Sequence, residues 1–164
     1  MSCEGQSILH YGDTDVDYSI QEFFFDHDPQ SDETYRHLSV GQSETLTRQF
    51  SQPHLDAYLD LVFSFSDLGL DREKFTHQLP GGLLGGLISN LLGTRLPGRG
   101  TMWLKQKFHF LKEVQPDEGI TGRVEITRIR PEKALVNLRT TLTDTAGDVI
   151  LDGEALVMVS DLEG

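Results

Sequence analysis

After one short strand candidate, hydrophobic residues recur at helical spacing in two segments and then at strand spacing to the end of the pattern. Residues 42–50 form a short strand candidate. Ser51 is a favourable helix N-cap and Pro53 suits a first helical turn. The apolar positions that follow predict a first helix of about ten residues, at Leu55, Tyr58, Leu59 and Val62. Residues 63–78 show no clean period and predict a loop.

A second apolar segment follows Pro80-Gly81-Gly82, which are residue types that typically interrupt regular structure. Because it is apolar on most faces, we expect a buried helix, carrying Leu83, Leu84, Leu87, Ile88, Leu91 and Leu92. Gly85 and Gly86 inside it each cost about 1 kcal/mol relative to Ala. We therefore expect them to permit the close approach of another backbone. Gly93 and Pro97 predict the helix end.

The chain after residue 100 alternates as strands do. Apolar and polar positions alternate along residues 103–111, 120–130, 134–142 and 149–159, and Ala146-Gly147-Asp148 predicts a hairpin turn. A buried helix followed by long antiparallel strands predicts an α+β fold in which an antiparallel sheet wraps around the central apolar helix.

Charge divides the chain of 164 residues, which has 26 acidic and 14 basic residues. Residues 1–40 hold nine acids and one base, so we predict an acidic, aromatic-containing extension at 1–39 and one domain at 40–164. The extension has three interpretations: a leader packed on the domain, an arm that covers a groove or binds a partner, or disorder. The acidity argues against a nucleic-acid partner.

Other features exclude further classes. Cys3 is the single cysteine, which excludes a disulfide framework and a cysteine-based zinc site. The histidines show no metal-ligand spacing, so we predict no metal. No apolar run reaches about 18 residues and the first residues do not form a secretory signal. We expect a cytoplasmic protein without membrane association.

Three stretches carry a family resemblance: residues 40–58, residues 96–100 with 108–114, and residues 148–155. They resemble the opening strand and helix, the "LPG…G…rFlkPV" segment and the closing "G-x-x-v-x-x-G-x-A" strand of the MaoC-like (R)-specific enoyl-CoA hydratase/dehydratase family. The order and spacing agree over about residues 40–160. The resemblance implies a hot-dog fold.

The family also implies a ligand and an assembly. Its ligands are acyl thioesters, carried on coenzyme A or on the phosphopantetheine of an acyl carrier protein, and no other cofactor is expected. Its reaction is the hydration of a trans-2-enoyl thioester or the reverse dehydration. It implies a homodimer or a heterodimer with another hot-dog protein, with an acyl tunnel beside the central helix.

The chain departs from the family at the catalytic motif "G-D-x-N-P-x-H-x-D". Without gaps from Ser51, the family Asp falls on Ser64 and the family His on Gly69, whereas the last Asp matches Asp71. The family His-Gly at the central helix falls on Pro80-Gly81. Neither a Ser hydroxyl nor Gly can act as acid or base near pH 7, so the usual proton-transfer pair is replaced.

Asp67, His77 and Ser64 are the replacement candidates for catalysis. Asp67 and His77 would supply the acid and base if the loop folds back, and Ser64 would orient a water or the thioester. The alternative is that Asp67 is a solvated turn residue, His77 a surface residue and Ser64 a loop cap. We interpret Asp71 as a turn or N-cap residue before residues 72–75. His54 and His109 are expected at the surface.

Substrate binding is assigned to the start of the central helix and to a basic strip. The backbone N–H groups of Gly81 and Gly82, with Leu83 beside them, would polarise a thioester carbonyl at a helix N-terminus. The strip lies within residues 95–112, which hold no acid, and its assigned binding residues are Arg99, Lys105 and Lys107. It would contact carrier phosphates; the alternative is a solvated strand edge protected by lysine.

The functional hypothesis is a divergent enoyl-thioester hydratase or dehydratase, a lyase with relocated acid and base groups. Two alternatives stay open. The first is a non-catalytic hot-dog subunit that pairs with a catalytic homologue. The second is a hot-dog thioesterase, for which Asp67 would be the carboxylate, or a pocket protein that senses or steers a hydrophobic product.

Overall fold

The computed structural model describes residues 38–64 and 71–159. The extension at 1–39 lies almost entirely outside these residues. The elements are β1 (Ser43–Gln49), α1 (Gln52–Ser64), a 3₁₀ helix (Arg72–Phe75), α2 (Gly81–Thr94), β2 (Thr101–Phe110), β3 (Gly119–Arg130), a 3₁₀ turn (Pro131–Lys133), β4 (Leu135–Thr143) and β5 (Val149–Val159).

One antiparallel sheet of five strands carries the fold, in the order β1-β3-β4-β5-β2. Helix α2 packs on its inner face, against β3, β2 and β1. Period-two alternation produces this arrangement: Ile126 faces Leu138 across β3 and β4, and both are buried. The predicted α+β architecture, a sheet wrapped around the apolar helix, is confirmed.

The leucine-rich side of α2 fills the core. Leu84, Leu87, Ile88, Leu91 and Leu92 are all buried. Gly122 in β3 makes room for this packing, because a Cβ there would lie 2.8 Å from Leu91 Cδ1. The sheet therefore approaches the helix closely, at a glycine of the sheet and not of the helix.

Two expectations about α2 are wrong in detail. The helix is not buried all round: Gly82, Gly86 and Ser89 are exposed along one face of this chain. Gly85 accommodates the Phe108 ring at 3.2 Å from an ideal Cβ, which is a side chain and not a backbone. A Cβ on Gly86 would meet nothing within 4 Å. The glycines therefore open a face of the helix.

The segment expected as a loop is partly helical. Helix α1 continues through Ser64, which is its last residue. The 3₁₀ helix Arg72–Phe75 follows, and Asp71 caps it, as expected, by accepting a hydrogen bond from Glu73 N at 3.1 Å. Residues 65–70 lie outside the described part of the chain.

Strand β2 is an edge strand with two different faces. A bulge between Trp103 and Lys105 shifts the register against β5. Beyond it, Phe108 and Phe110 pair with the inward-facing Gly153 and Leu151. The lysines and His109 alternate with these aromatics and face outward, opposite Leu156, Glu154 and Asp152. The exposed position expected for His109 is confirmed.

No helix among the described residues is long and apolar enough to cross a membrane.

Candidate functional site

A groove of about 640 Å³ runs along the open face of α2. The helix forms one wall with small residues and β2 forms the other with aromatic rings. The lining is Gly81, Gly82, Gly85, Gly86, Ser89, Trp103, Phe108 and Phe110. Within the described residues this lining is largely apolar, with no carboxylate and no imidazole, so it suits a hydrocarbon chain.

The amino end of α2 offers free hydrogen-bond donors at one end of this wall. Pro80 occupies the N-cap position and provides no side-chain cap. The N–H groups of Leu83 and Leu84 both donate to the Pro80 carbonyl, at 2.9 and 3.2 Å. The N–H groups of Gly81 and Gly82 have no acceptor among the described residues. They are available to a ligand oxygen, and the helix dipole adds partial positive charge there.

Aromatic side chains press against both of these glycines. An ideal Cβ on Gly81 would lie 2.7 Å from Phe110 Cζ. An ideal Cβ on Gly82 would collide with the Tyr58 hydroxyl. Any larger residue at either position would displace a ring, which gives a structural reason for two consecutive glycines here.

The rings of Phe108 and Phe110 pack against each other in a tilted arrangement, with centroids 5.8 Å apart. Phe110 and Trp103 remain 52% and 39% exposed. Large exposed aromatics that line an apolar groove are typical of a ligand site or of an interface.

The structure brings together only part of the predicted binding set. Gly81 and Gly82 both line the groove. Leu83 is half-buried and packs against the core instead. Arg99 is exposed in the connection before β2. Lys105 and Lys107 lie on the outer face of β2, opposite the side that lines the groove.

The catalytic candidates are not assembled around these glycines within the described residues. Ser64 is exposed and its hydroxyl donates to the Leu61 carbonyl at 2.7 Å. Asp67 lies outside the described residues. His77 is exposed and lines a different cavity, also of about 640 Å³, with Lys74, Lys112 and Glu113 among its neighbours.

That second cavity is bordered by an ion-pair cluster. Lys112 Nζ lies 2.5 Å from Asp144 Oδ2 and 3.0 Å from Asp148 Oδ2. Hydrogen bonding to these carboxylates raises the pKa of Lys112, and the hydrogen bond from Lys112 lowers the pKa of Asp144. Lys112 pairs with two carboxylates in the turn of the β4–β5 hairpin, so its positive charge is already compensated.

Sequence reasoning missed the aromatic wall and Tyr58. Trp103, Phe108 and Phe110 were visible as apolar positions of one strand, but nothing in their spacing indicated an edge strand beside a glycine face. The spacing of Tyr58 indicates only an apolar position of the first helix. No cluster of histidine, cysteine, aspartate or glutamate among the described residues could hold a metal ion.

Comparisons with known proteins place this geometry in a family. No protein-family model matches the chain. The (R)-specific enoyl-CoA hydratase of Rhodospirillum rubrum is 33% identical over 131 residues, which cover 76% of this chain and 90% of that protein. The 3-hydroxybutyryl-CoA dehydratase of Methylorubrum extorquens is 31% identical over 135 residues, 79% of this chain and 85% of that protein.

A solved structure agrees. The (R)-hydratase from Aeromonas caviae involved in PHA biosynthesis is 33% identical and superposes with a TM-score of 0.65, covering 74% of this chain and 97% of that one. Sequence and fold therefore each match over about three quarters of this chain. The chain belongs to the MaoC-like (R)-specific enoyl-CoA hydratase/dehydratase family of hot-dog proteins.

Proposed function

We propose that this chain is a divergent hydratase or dehydratase that acts on acyl thioesters carried by coenzyme A or by phosphopantetheine. The observation that carries the proposal is a pair of N–H donors, at Gly81 and Gly82, that have no acceptor within the described residues and lie at one end of an apolar, aromatic-walled groove. The groove holds the acyl chain, and the two N–H groups donate hydrogen bonds to the thioester carbonyl oxygen.

The two donors act on the carbonyl. Hydrogen bonds from Gly81 and Gly82 draw electron density from the conjugated thioester onto its oxygen, so the C3 carbon becomes electrophilic toward water. Negative charge develops on that oxygen in the transition state, where preorganised donors are most effective; removing one such donor in acyl chemistry costs about 2.7–4 kcal/mol. Backbone donors need no side chain, so this part of catalysis survives the replaced motif.

Hydration also needs proton transfer. The water oxygen adds to C3 while a base takes one of its protons, and an acid delivers a proton to C2. We assign the base to Asp67, because Ser64 is occupied with the Leu61 carbonyl and His77 lies in another cavity. The same residue, once protonated, can deliver its proton to C2. The same steps in reverse give dehydration.

The carrier would extend out of the groove past its open end. We propose Arg99 as a contact for its phosphates, because this guanidinium is exposed just before β2. Lys105 and Lys107 face the other side of the sheet. They would meet only a carrier that crosses the edge of β2.

We further propose that a second hot-dog subunit, identical or homologous, covers the open groove. Edge strand β2 carries the exposed Trp103 and Leu104, and it faces no other strand among the described residues on its free side. Strand edges and exposed aromatic residues are both features that a partner covers. Such a partner would turn the open groove into a tunnel.

A non-catalytic subunit is the second candidate. It is favoured by one observation: the described lining of the groove has neither a carboxylate nor an imidazole. In that case the chain would shape the tunnel of a catalytic homologue and show no turnover alone.

The direct test is to incubate the purified chain with crotonyl-CoA and with a longer trans-2-enoyl-CoA. Hydration is measured as the loss of the enoyl thioester absorbance. We expect turnover without release of free thiol. Thiol release would point to a thioesterase, and turnover only after addition of a homologue with the intact Asp/His motif would point to the non-catalytic subunit.

A further inference from the structure

The hydroxyl of Tyr58 reaches the amino end of α2 from a different helix. Tyr58 lies in α1, is half-buried, and packs its ring against the core. Its oxygen occupies the space that a side chain on Gly82 would need. Gly82 therefore both lines the groove and touches this hydroxyl.

This hydroxyl has no hydrogen-bond partner within residues 38–64 and 71–159. A tyrosine hydroxyl offers one rotatable O–H donor and can turn it toward any acceptor that arrives. Ring packing fixes the oxygen while leaving the hydrogen free, so the donor is positioned before the ligand binds.

An oxygen bonded to Gly82 N–H would sit about 2.9 Å from that nitrogen. The Tyr58 hydroxyl contacts the same residue, on the side where a Cβ of Gly82 would lie. We infer that Tyr58 is a third hydrogen-bond donor to the thioester carbonyl, beside the N–H groups of Gly81 and Gly82. This inference rests on the proposed function and adds a side chain to a site otherwise built from backbone.

The role is one of polarisation and involves no proton transfer. A donor that strengthens its bond as the carbonyl becomes an oxyanion lowers the barrier more than it strengthens substrate binding. Tyr58→Phe keeps the ring and its packing and removes only this donor. We therefore expect kcat to fall on the order of 10²-fold with KM nearly unchanged.

A spectroscopic readout separates polarisation from structural support. Butyryl-CoA with a ¹³C-labelled thioester carbonyl is bound to the full chain, and the carbonyl stretch is measured by infrared difference spectroscopy. The stretch should move to lower frequency in the wild type and return part of the way toward its free value in Tyr58→Phe. Thr47→Val, which removes a hydroxyl from the outer side of the sheet, should match the wild type.

The possible outcomes separate the role of Tyr58 from that of the thioester site as a whole. A wild-type shift that persists unchanged in Tyr58→Phe overturns the role of Tyr58 and leaves the thioester site intact. Saturable binding without any wild-type shift, or no binding of butyryl-CoA, overturns both. A partial return of the frequency, with unchanged affinity and unchanged thermal stability, supports the inference even if the chain proves to be a non-catalytic subunit.

Discussion

Two adjacent glycines determine what the amino end of α2 can do. Gly81 and Gly82 leave space for Phe110 and Tyr58 and present N–H groups that Pro80 does not cap. Their position at the start of a helix was predictable, because Pro-Gly-Gly before an apolar run marks a helix start. The Tyr58 contact was not, because it joins residues on two helices whose relative position no local pattern encodes.

Asp67 is the single residue on which the proposed proton transfer depends. Asp67→Asn removes the base while keeping the size of the side chain, so hydration of crotonyl-CoA should fall about 10²-fold or more. The matched control is Asp71→Asn, four positions along, which removes a charge in the same way but keeps a side-chain oxygen that can cap the 3₁₀ helix. Initial rates should show full or nearly full activity for the control. Equal rates for both variants would contradict the assignment of Asp67.

Among the elements, the sheet tolerates less change than the open parts of α2. A Cβ on Gly153 in β5 would run into the carbonyl oxygen of Lys107 on β2 and lie 3.0 Å from Thr140 Oγ1. A Cβ on Gly93 in α2 would meet nothing within 4 Å. Alternation along β3, β4 and β5 was enough to predict this sheet, whereas the strand order that brings β2 beside β5 depends on long-range pairing.

Replacing these two glycines should change stability in opposite directions. Gly153→Ala forces β2 and β5 apart and should reduce the free energy of unfolding by about 1–3 kcal/mol. Gly93→Ala lowers the backbone entropy of the unfolded chain, so it should raise the free energy of unfolding by up to about 1 kcal/mol. Urea denaturation followed by circular dichroism measures both. An unchanged free energy of unfolding in Gly153→Ala would contradict the close approach of β2 and β5 at this glycine.

The β4–β5 hairpin should make stability depend on acid. Asp144 Oδ1 also accepts hydrogen bonds from the N–H groups of Ala146 and Asp148, both at 2.9 Å. Its pKa in the folded protein is lowered, chiefly by Lys112, so its contribution is present above the unfolded-state value of about 3.9 and is lost as pH falls below it.

Asp144→Asn should therefore be less stable than the wild type at pH 7, and the difference should shrink as the pH is lowered toward 3. Thermal unfolding midpoints across this range measure the effect. Asp148→Asn is the control, because Asp148 is 68% exposed and holds Lys112 at the longer distance of 3.0 Å. A difference between Asp144→Asn and wild type that stays constant with pH would contradict the cause given.

At the scale of the whole molecule, the groove is open along α2 and β2. Trp103 and Phe110 are exposed there in a single chain, which is the physical basis for a partner subunit. The sequence predicts a buried helix because apolar positions occupy most of its faces. The sequence could not show that the small residues of α2 lie on the face that borders the edge strand β2.

Trp103→Glu should weaken this assembly, because a carboxylate would be buried against the partner's apolar surface. Sedimentation velocity should show dimers for the wild type and mostly monomers for the variant. Val40→Glu places the same charge at an exposed site preceding β1, at the opposite edge of the sheet, and should leave the dimer intact. A monomeric wild type, or dimers of Trp103→Glu at equal strength, would contradict an interface at β2.

The central claim is that a thioester carbonyl binds at the amino end of α2. The most direct measurement is the two-dimensional amide spectrum of the ¹⁵N-labelled chain during titration with butyryl-CoA. We predict saturable shifts that are largest at the amides of Gly81 and Gly82, since these donate to the carbonyl. Shifts confined to the cavity around Lys74 and Lys112, with both glycine amides unmoved, would contradict the account.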